Sequence, residues 1–352
     1  MPKPIRVLVV DDSALVRNIL SQGLGMDPGI EVVGKASDPY QARDMIVRLS
    51  PDVLTLDVEM PRMDGVAFLR RLMPQYPLPV VMVSALTGKG MQITLDALEA
   101  GAVDFVTKPK SDVARGLNEM LGELRDKVKA AATANVSHWK NKKSSKPVKK
   151  IASSRALEES TDKVIVIGAS TGGTEAIRKV ISAFPVVAPG VVIVQHMPAK
   201  FTKMFAERMN ELCEMDVKEA EDRDRVMAGR VLIAPGGFQT RIVRSGGIYQ
   251  VRIEAGELVC GHCPSVEVLM QSAAQYVGPN AVGVMLTGMG KDGAGGMLAM
   301  RNAGARTIAQ DEASCVVFGM PMEAHKNGGA EQLVPLDEIP TTVLDLIAGR
   351  KK

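Results

Sequence analysis

Short apolar runs alternate with longer amphipathic stretches along most of this chain, and this alternation constrains its fold more than any other feature. In the first 131 residues the apolar runs have the length of buried strands and are separated by helical patterns of about 10 to 15 residues. The runs are residues 5–10, 31–34, 53–56, 80–83 and 103–106. Connections of that length join parallel strands through crossover helices. Residues 1–131 are therefore predicted to form a doubly wound, five-stranded parallel α/β domain.

The alternation stops at residues 132–162 and then resumes. Lys140–Lys150 contains six lysines and no acidic residue, which predicts a flexible basic linker because like charges repel and few apolar groups are available for burial. Residues 163–352 are predicted to form a second α/β domain. Its buried strands are expected at 164–167, 191–194, 231–234 and 281–286, with a β-hairpin excursion between 238 and 259.

Composition narrows the class of protein. Hydrophobic residues make up 46% and charged residues 24% of the 352 positions, as in soluble globular proteins. No apolar run reaches the roughly 20 residues of a membrane span, and the start has no signal-peptide pattern, so we predict a cytoplasmic protein without membrane insertion. The net charge of +3 is concentrated in the linker, which is weak support for nucleic-acid binding.

A cysteine pair, Cys260 and Cys263, flanks His262 in a CxxC pattern. A structural zinc site needs a second pair of ligands at similar spacing. Cys213 and Cys315 stand alone in the sequence. We therefore do not predict a metal site here.

Polar side chains follow the predicted strands of the first domain at the edge where parallel α/β sheets place their sites. They are Asp11, Asp12, Asp57, Ser84 and Lys108. Converging carboxylates repel one another unless they share a cation, and Mg²⁺ takes such oxygen ligands. Asp57 could then act as a nucleophile towards a phosphoryl donor. A single aspartate after a strand often only caps a helix, but a set at successive strand ends favours a site.

With Met60-Pro61 and Asp64-Gly65 added, this pattern resembles the receiver domain of two-component response regulators, over about residues 4–125. The resemblance implies that Asp57 accepts phosphate from a histidine kinase and that Mg²⁺ is required. It also implies an aromatic-plus-hydroxyl switch and a cis peptide before the proline that follows the lysine. The implied metal ligands are Asp12, Asp57 and the backbone carbonyl of Glu59, with Asp11 binding directly or through water. The implied switch pair is Phe105 with Ser84, and the implied cis peptide is Lys108–Pro109.

Gly168-Ala-Ser170-Thr-Gly172 follows the first strand of the second domain. A glycine-rich turn of this kind suits either phosphate binding or a nucleophile elbow, although no P-loop lysine follows it. His196 directly follows the next strand and could serve as the base. Asp292, in the loop after residues 281–286, could orient that base, or could cap a helix that starts near Gly293.

The segments GASTGG, VQHMP and LTGMGKDG, with Cys263–Val266, resemble the catalytic domain of chemotaxis protein-glutamate methylesterases. The resemblance covers nearly the whole chain outside the linker. It implies that Ser170 is the nucleophile, His196 the general base and acid, Asp292 the orienting carboxylate, and the backbone N–H of Met289 an oxyanion donor.

The same resemblance implies the biological reaction. The substrates would be glutamate methyl esters on chemoreceptors, and receptor glutamines would be deamidated, giving adaptation in bacterial chemotaxis. A phosphorylated receiver would activate the enzyme by exposing the catalytic face. The esterase reaction would need no cofactor, and we predict a monomer that does not bind nucleic acid.

Two other classes of function compete with this interpretation. A receiver could control a DNA-binding domain, but the second domain shows no helix-turn-helix with a basic recognition helix. The GASTGG loop could bind a nucleotide, which would leave His196 and Asp292 without a role. Labelling by a serine-directed fluorophosphonate would separate this last alternative from a hydrolase.

Overall fold

The computed structural model describes residues 3–85, 87–109, 113–140, 151 and 162–349. The chain divides into two compact units, residues 1–145 and 146–352, and each is described by itself. None of the described helices is long and apolar enough to cross a bilayer.

The first unit is a five-stranded parallel sheet with helices between its strands, as the sequence predicts. The strand order is β2-β1-β3-β4-β5. The strands are β1 (Ile5–Val10), β2 (Ile30–Ala36), β3 (Val53–Asp57), β4 (Val80–Ala85) and β5 (Asp104–Lys108). The helices are α1 (Ala14–Gly25), α2 (Pro39–Leu49), α3 (Gly65–Gln75), α4 (Gly88–Glu99) and α5 (Val113–Ala132). Because order reverses around β1, the carboxyl ends of β1 and β3 lie at the switch point where such folds place their sites.

Local sequence signals fix where these helices begin. Asp64 caps α3 by accepting a hydrogen bond from the backbone N–H of Ala67 at 2.7 Å. The next residue, Gly65, lies so close to β3 that a Cβ there would be 2.4 Å from the carbonyl oxygen of Asp57. The Asp64-Gly65 pair therefore starts the helix while letting it pack against the strand that carries Asp57.

The start of the predicted linker packs on the first unit. Ser137–Trp139 forms a 3₁₀ turn, Val136 is buried, and the Trp139 ring lies 3.0 Å from where a Cβ on Gly101 would be. Residues 141–150 and 152–161 lie outside the described residues. The predicted domain limits therefore stay predictions.

The second unit contains a seven-stranded sheet of order β14-β13-β12-β6-β7-β9-β8, parallel throughout, and a separate two-stranded antiparallel hairpin. Its strands are β6 (Val164–Ala169), β7 (Gly190–Gln195), β8 (Asp216–Glu219), β9 (Arg230–Ile233), β10 (Gln239–Ser245), β11 (Ile248–Glu254), β12 (Ala281–Met285), β13 (Arg306–Gln310) and β14 (Gln332–Val334). Its helices are α6 (Gly173–Ile181), α7 (Phe201–Leu212), α8 (Val266–Tyr276), α9 (Ala294–Asn302), α10 (Met320–Lys326) and α11 (Ile339–Ile347). The hairpin β10–β11 confirms the predicted excursion.

Three strands of this sheet are absent from the prediction, namely β8, β13 and β14. β8 and β14 are edge strands of four and three residues, too short to carry an alternating pattern. β13 buries the polar residues Thr307 and Gln310, which break the apolar run that marks a buried strand. The central strands β12, β6 and β7 are buried and, apart from Gln195 at the end of β7, apolar, and their carboxyl ends carry the candidate site.

Candidate active site

Ser170 follows β6 in a turn that only small residues permit. Gly172 has φ +77°, and a Cβ on Gly288 would lie 2.8 Å from the Cβ of Ser170. The backbone N–H of Ser170 donates to the carbonyl of Thr287 at 3.0 Å. These close approaches hold a half-buried serine at the carboxyl edge of the sheet, as a nucleophile elbow does.

His196 occupies the matching position on the neighbouring strand. β6 and β7 pair Ala169 with Gln195, so Ser170 and His196 are the next residues along adjacent parallel strands. The backbone N–H of His196 donates to the carbonyl of Ala169 at 3.1 Å. The side-chain amide of Gln195 donates to the carbonyls of both Ser170, at 3.0 Å, and His196, at 3.1 Å. The two backbones therefore lie side by side.

Asp292 reaches the same edge from the loop after β12. Its Oδ2 lies 2.7 Å from Nε2 of His196. It also accepts hydrogen bonds from the Ser265 hydroxyl at 2.7 Å and from the backbone N–H groups of Val266 at 2.8 Å and Glu267 at 3.0 Å. Asp292 thus caps α8, not the helix near Gly293, because the folded chain brings the start of α8 over the end of β12.

This setting keeps the Asp292 carboxylate ionised. Burial alone would raise the pKa of Asp292, but the hydrogen bond and charge of His196, with the bonds from Ser265 and Glu267, outweigh burial and lower the pKa below its usual value. An ionised carboxylate accepts, so Nε2 of His196 carries the proton between them. That leaves Nδ1 as the basic nitrogen of the neutral ring.

The serine–histidine hydrogen bond is not formed in this structure. Nδ1 of His196 is buried without a hydrogen-bond partner, and the Ser170 hydroxyl makes no hydrogen bond to any of the described residues. Such bonds are often long without substrate and tighten when it binds. The geometry brings His196 and Asp292 into direct contact and sets Ser170 beside them by its backbone.

Met289 lies in the loop between β12 and α9. Its backbone N–H has no acceptor within the part of the chain that the structure describes. The residue before it is fixed firmly, because the Gly288 carbonyl accepts from the backbone N–H groups of Gly319 at 3.1 Å and Met320 at 2.8 Å. A free N–H on a fixed loop beside Ser170 suits an oxyanion donor.

The first unit gathers its own charged site. Ligand oxygens of Asp11, Asp12 and Asp57 all lie within 4.8 Å of one another, and Lys108 Nζ lies 2.9 Å from Asp11 and 3.0 Å from Asp57. Burial, with the nearby charge of Asp11, raises the pKa of Asp57 to about 6 even though Lys108 opposes the shift. The donor set fits a hard cation such as Mg²⁺. Glu59 follows two residues after Asp57, and its carbonyl stays a predicted ligand.

The two predicted switch residues, Ser84 and Phe105, each contact a helix. The Ser84 hydroxyl accepts a hydrogen bond from Thr94 Oγ1 at 2.6 Å and lies 3.3 Å from the Gly90 carbonyl of α4. Phe105 is buried with the Lys127 ammonium 5.1 Å above its ring. The hydroxyl thus bonds to α4, and the aromatic ring lies under the cation of α5.

The predicted cis peptide at Lys108–Pro109 is wrong. Among the described residues the cis bond is Cys263–Pro264. The trans form of an X–Pro bond is favoured by about 0.5–1 kcal/mol unless the fold opposes it. Lys108 reaches both aspartates without the cis form.

Sequence reasoning missed several residues that hold the second site. Ser265 shows an N-cap pattern before an apolar run, but its hydroxyl bonds to Asp292 instead of the helix. Gln195 directly follows the predicted strand 191–194, and nothing in the sequence indicates its two hydrogen bonds to the site. His262 stacks on His196 with ring centroids 3.6 Å apart, whereas the sequence shows it only within the CxxC pattern.

Fold and sites together define a response regulator whose α/β output domain carries a serine, a histidine and a carboxylate at one sheet edge. Comparison with known proteins agrees. The family model described as CheB methylesterase matches residues 165–343, and the response regulator receiver domain model matches residues 7–118. The chain belongs to the CheB methylesterase family, with an N-terminal receiver domain.

Individual relatives extend this match over the whole chain. A protein-glutamate methylesterase/protein-glutamine glutaminase of Syntrophotalea carbinolica is 70% identical and covers 100% of both chains. One from Sulfurimonas denitrificans is 51% identical over 99% of each. The crystal structure of the Thermotoga maritima CheB methylesterase catalytic domain is 37% identical, with a TM-score of 0.51, covering 52% of this chain and 98% of that one.

Proposed function

We propose that this protein hydrolyses glutamate γ-methyl esters on chemoreceptors, and deamidates receptor glutamines, with Ser170, His196 and Asp292 as the catalytic triad. The observation that carries the proposal is the 2.7 Å contact between His196 and Asp292 on the strand end next to Ser170. Full-length relatives with this named activity support the substrate class. This activity gives adaptation in bacterial chemotaxis.

In the reaction, His196 Nδ1 removes the proton from the Ser170 hydroxyl as Ser170 Oγ attacks the ester carbonyl carbon. Asp292 holds the resulting imidazolium through Nε2–H. The oxyanion accepts a hydrogen bond from the free backbone N–H of Met289. A donor of this type stabilises the transition state by about 3–4 kcal/mol. His196 then protonates the methoxy leaving group, which departs as methanol. Water deprotonated by His196 cleaves the acyl-enzyme and restores Ser170. Glutamine follows the same path with ammonia leaving.

Ser170→Ala tests the nucleophile. Methanol release from methylated receptor should fall to a trace, and a fluorophosphonate that labels the wild-type protein should no longer label the variant. Ser245→Ala, at an exposed position at the end of β10, is the matched control and should behave as wild type. Substantial methanol release by Ser170→Ala would refute the assignment.

In the receiver, Asp57 is proposed to attack the phosphoryl group of a histidine kinase, with Lys108 and Ser84 holding the phosphoryl oxygens. Asp12, Asp57 and the Glu59 carbonyl would hold Mg²⁺, with Asp11 binding directly or through water. The ion supplies charge neutralisation for the incoming phosphate. To donate to a phosphoryl oxygen, the Ser84 hydroxyl must turn away from the Gly90 carbonyl of α4, 3.3 Å away, which couples phosphorylation to the position of α4. The kinase and the receptors are the proposed partners of a cytoplasmic monomer.

A further inference from the structure

A second imidazole covers one face of the candidate base. The rings of His196 and His262 are stacked, with centroids 3.6 Å apart and planes 14° from parallel. The His196 side chain is 8% exposed, so little of its ring remains open to solvent. Asp292 contacts Nε2 at the edge of the same His196 ring.

The position of His262 is built by its backbone. Val259 and His262 exchange both backbone hydrogen bonds at 3.0 Å. The turn between them has φ +52° at Cys260 and +84° at Gly261, the left-handed pair that a tight type I′ hairpin turn requires. The His262 carbonyl also accepts from the buried side-chain amide of Gln239 at 3.1 Å. His262 is thus held by a turn and by an anchor from β10.

The same stretch of chain fixes the carboxylate. Residues 259–267, which we call the backing segment, continue from His262 to Ser265, whose hydroxyl bonds to Asp292. Gln239 ties the two parts together, since its Oε1 accepts from the Ser265 backbone N–H at 2.9 Å. One segment therefore supports the His196 ring at its Asp292 edge and across one face.

We propose that His262 is a positioning residue for ester hydrolysis, an inference that rests on the proposed function. Its ring fixes the plane of His196, so that Nε2 stays on Asp292 and Nδ1 stays free to take the Ser170 proton. It also presents a π face to the imidazolium that forms when His196 takes the serine proton. Both effects act on the chemical step, because neither requires contact between His262 and the substrate.

Two substitutions of similar bulk separate a flat ring from mere volume. In the full-length protein, His262→Phe keeps a planar π face, whereas His262→Leu fills the space without one. We expect His262→Leu to lower kcat for methanol release roughly tenfold, with KM within about twofold of wild type. His262→Phe should stay within about threefold of the wild-type kcat. His325→Ala, an exposed histidine on α10, is the control and should leave both constants unchanged.

Each other outcome overturns the proposal. An unchanged kcat in His262→Leu would remove the role, and equal losses in both variants would show that the flat ring is not what matters. A change confined to KM would make His262 a substrate contact. Loss of the thermal transition in His262→Leu along with activity would make its role structural. Ser170→Ala, assayed in parallel, tests the proposed function itself: if it keeps turnover, that function fails whatever the His262 variants do.

Discussion

Asp57 illustrates at the residue scale how a reactive group carries a cost in stability. Burial and the charge of Asp11 raise its pKa to about 6, although Lys108 counteracts them. The folded protein therefore binds more protons than the unfolded chain between about pH 4 and 6. Stability contributed by this group falls as pH rises through that window. A bound divalent cation would relieve the same repulsion.

Asp57→Asn should consequently stabilise the metal-free protein. The amide keeps the shape and removes one of three clustered carboxylates, so we expect a gain in the free energy of unfolding of about 1–3 kcal/mol at pH 7. The gain should shrink towards pH 4, where the wild-type carboxyl is protonated, and on adding Mg²⁺. Chemical denaturation at both pH values measures it. Asp44→Asn, an exposed position on α2, is the control, and no gain at pH 7 would contradict the argument.

At the scale of elements, the contact between α8 and β6 sets the second site. A Cβ on Gly168 would lie 2.2 Å from Val266 Cγ1, so the first turn of α8 packs directly on β6, the strand that Ser170 follows. That turn presents its backbone N–H groups to Asp292, where a negative charge at a helix N-terminus is favourable. The position of α8 therefore also sets the orientation of the Asp292 carboxylate.

Gly168→Ala should therefore damage activity and stability together. The methyl group must displace the start of α8, which we expect to cost about 1–3 kcal/mol and to lower kcat as Asp292 shifts. Gly122→Ala is the control, because this helical glycine on α5 has room for a Cβ and the change should be neutral or slightly stabilising. Thermal melting and methanol release measure both effects. Wild-type values for Gly168→Ala would show that the contact is not tight.

Periodicity and strand-end chemistry predict most of this fold, because apolar runs such as Val164–Ala169 are unambiguous. Ser170, His196 and Asp292 stand out because the first two directly follow apolar strands and the third lies in the glycine-rich loop after one. The supporting residues give no such signal. Gln195, Ser265 and His262 gain their roles only when distant segments meet. The polar side chain of Gln310 on β13 is buried because it accepts a hydrogen bond from the backbone N–H of Thr287.

At the scale of the whole molecule, a receiver and a hydrolytic domain share one chain, and the proposed phosphorylation of Asp57 would then be a means of control. A small phosphodonor with Mg²⁺ should raise methanol release by the intact protein, and Asp57→Asn should abolish that rise.

Removing residues 1 to about 150 should give a high rate of methanol release that does not depend on the phosphodonor. Kinetics of methanol release, with and without donor, measure all three. An isolated second domain no faster than the intact protein would argue against occlusion by the receiver.

Trp139, the single tryptophan of the sequence, packs on Gly101 just beyond the end of α4. Its indole emission consequently originates from the receiver unit. Any rearrangement of α4 after phosphoryl transfer would alter that emission without an attached dye. The protein thus carries an intrinsic optical reporter in the receiver unit, whereas turnover takes place at Ser170 in the other unit.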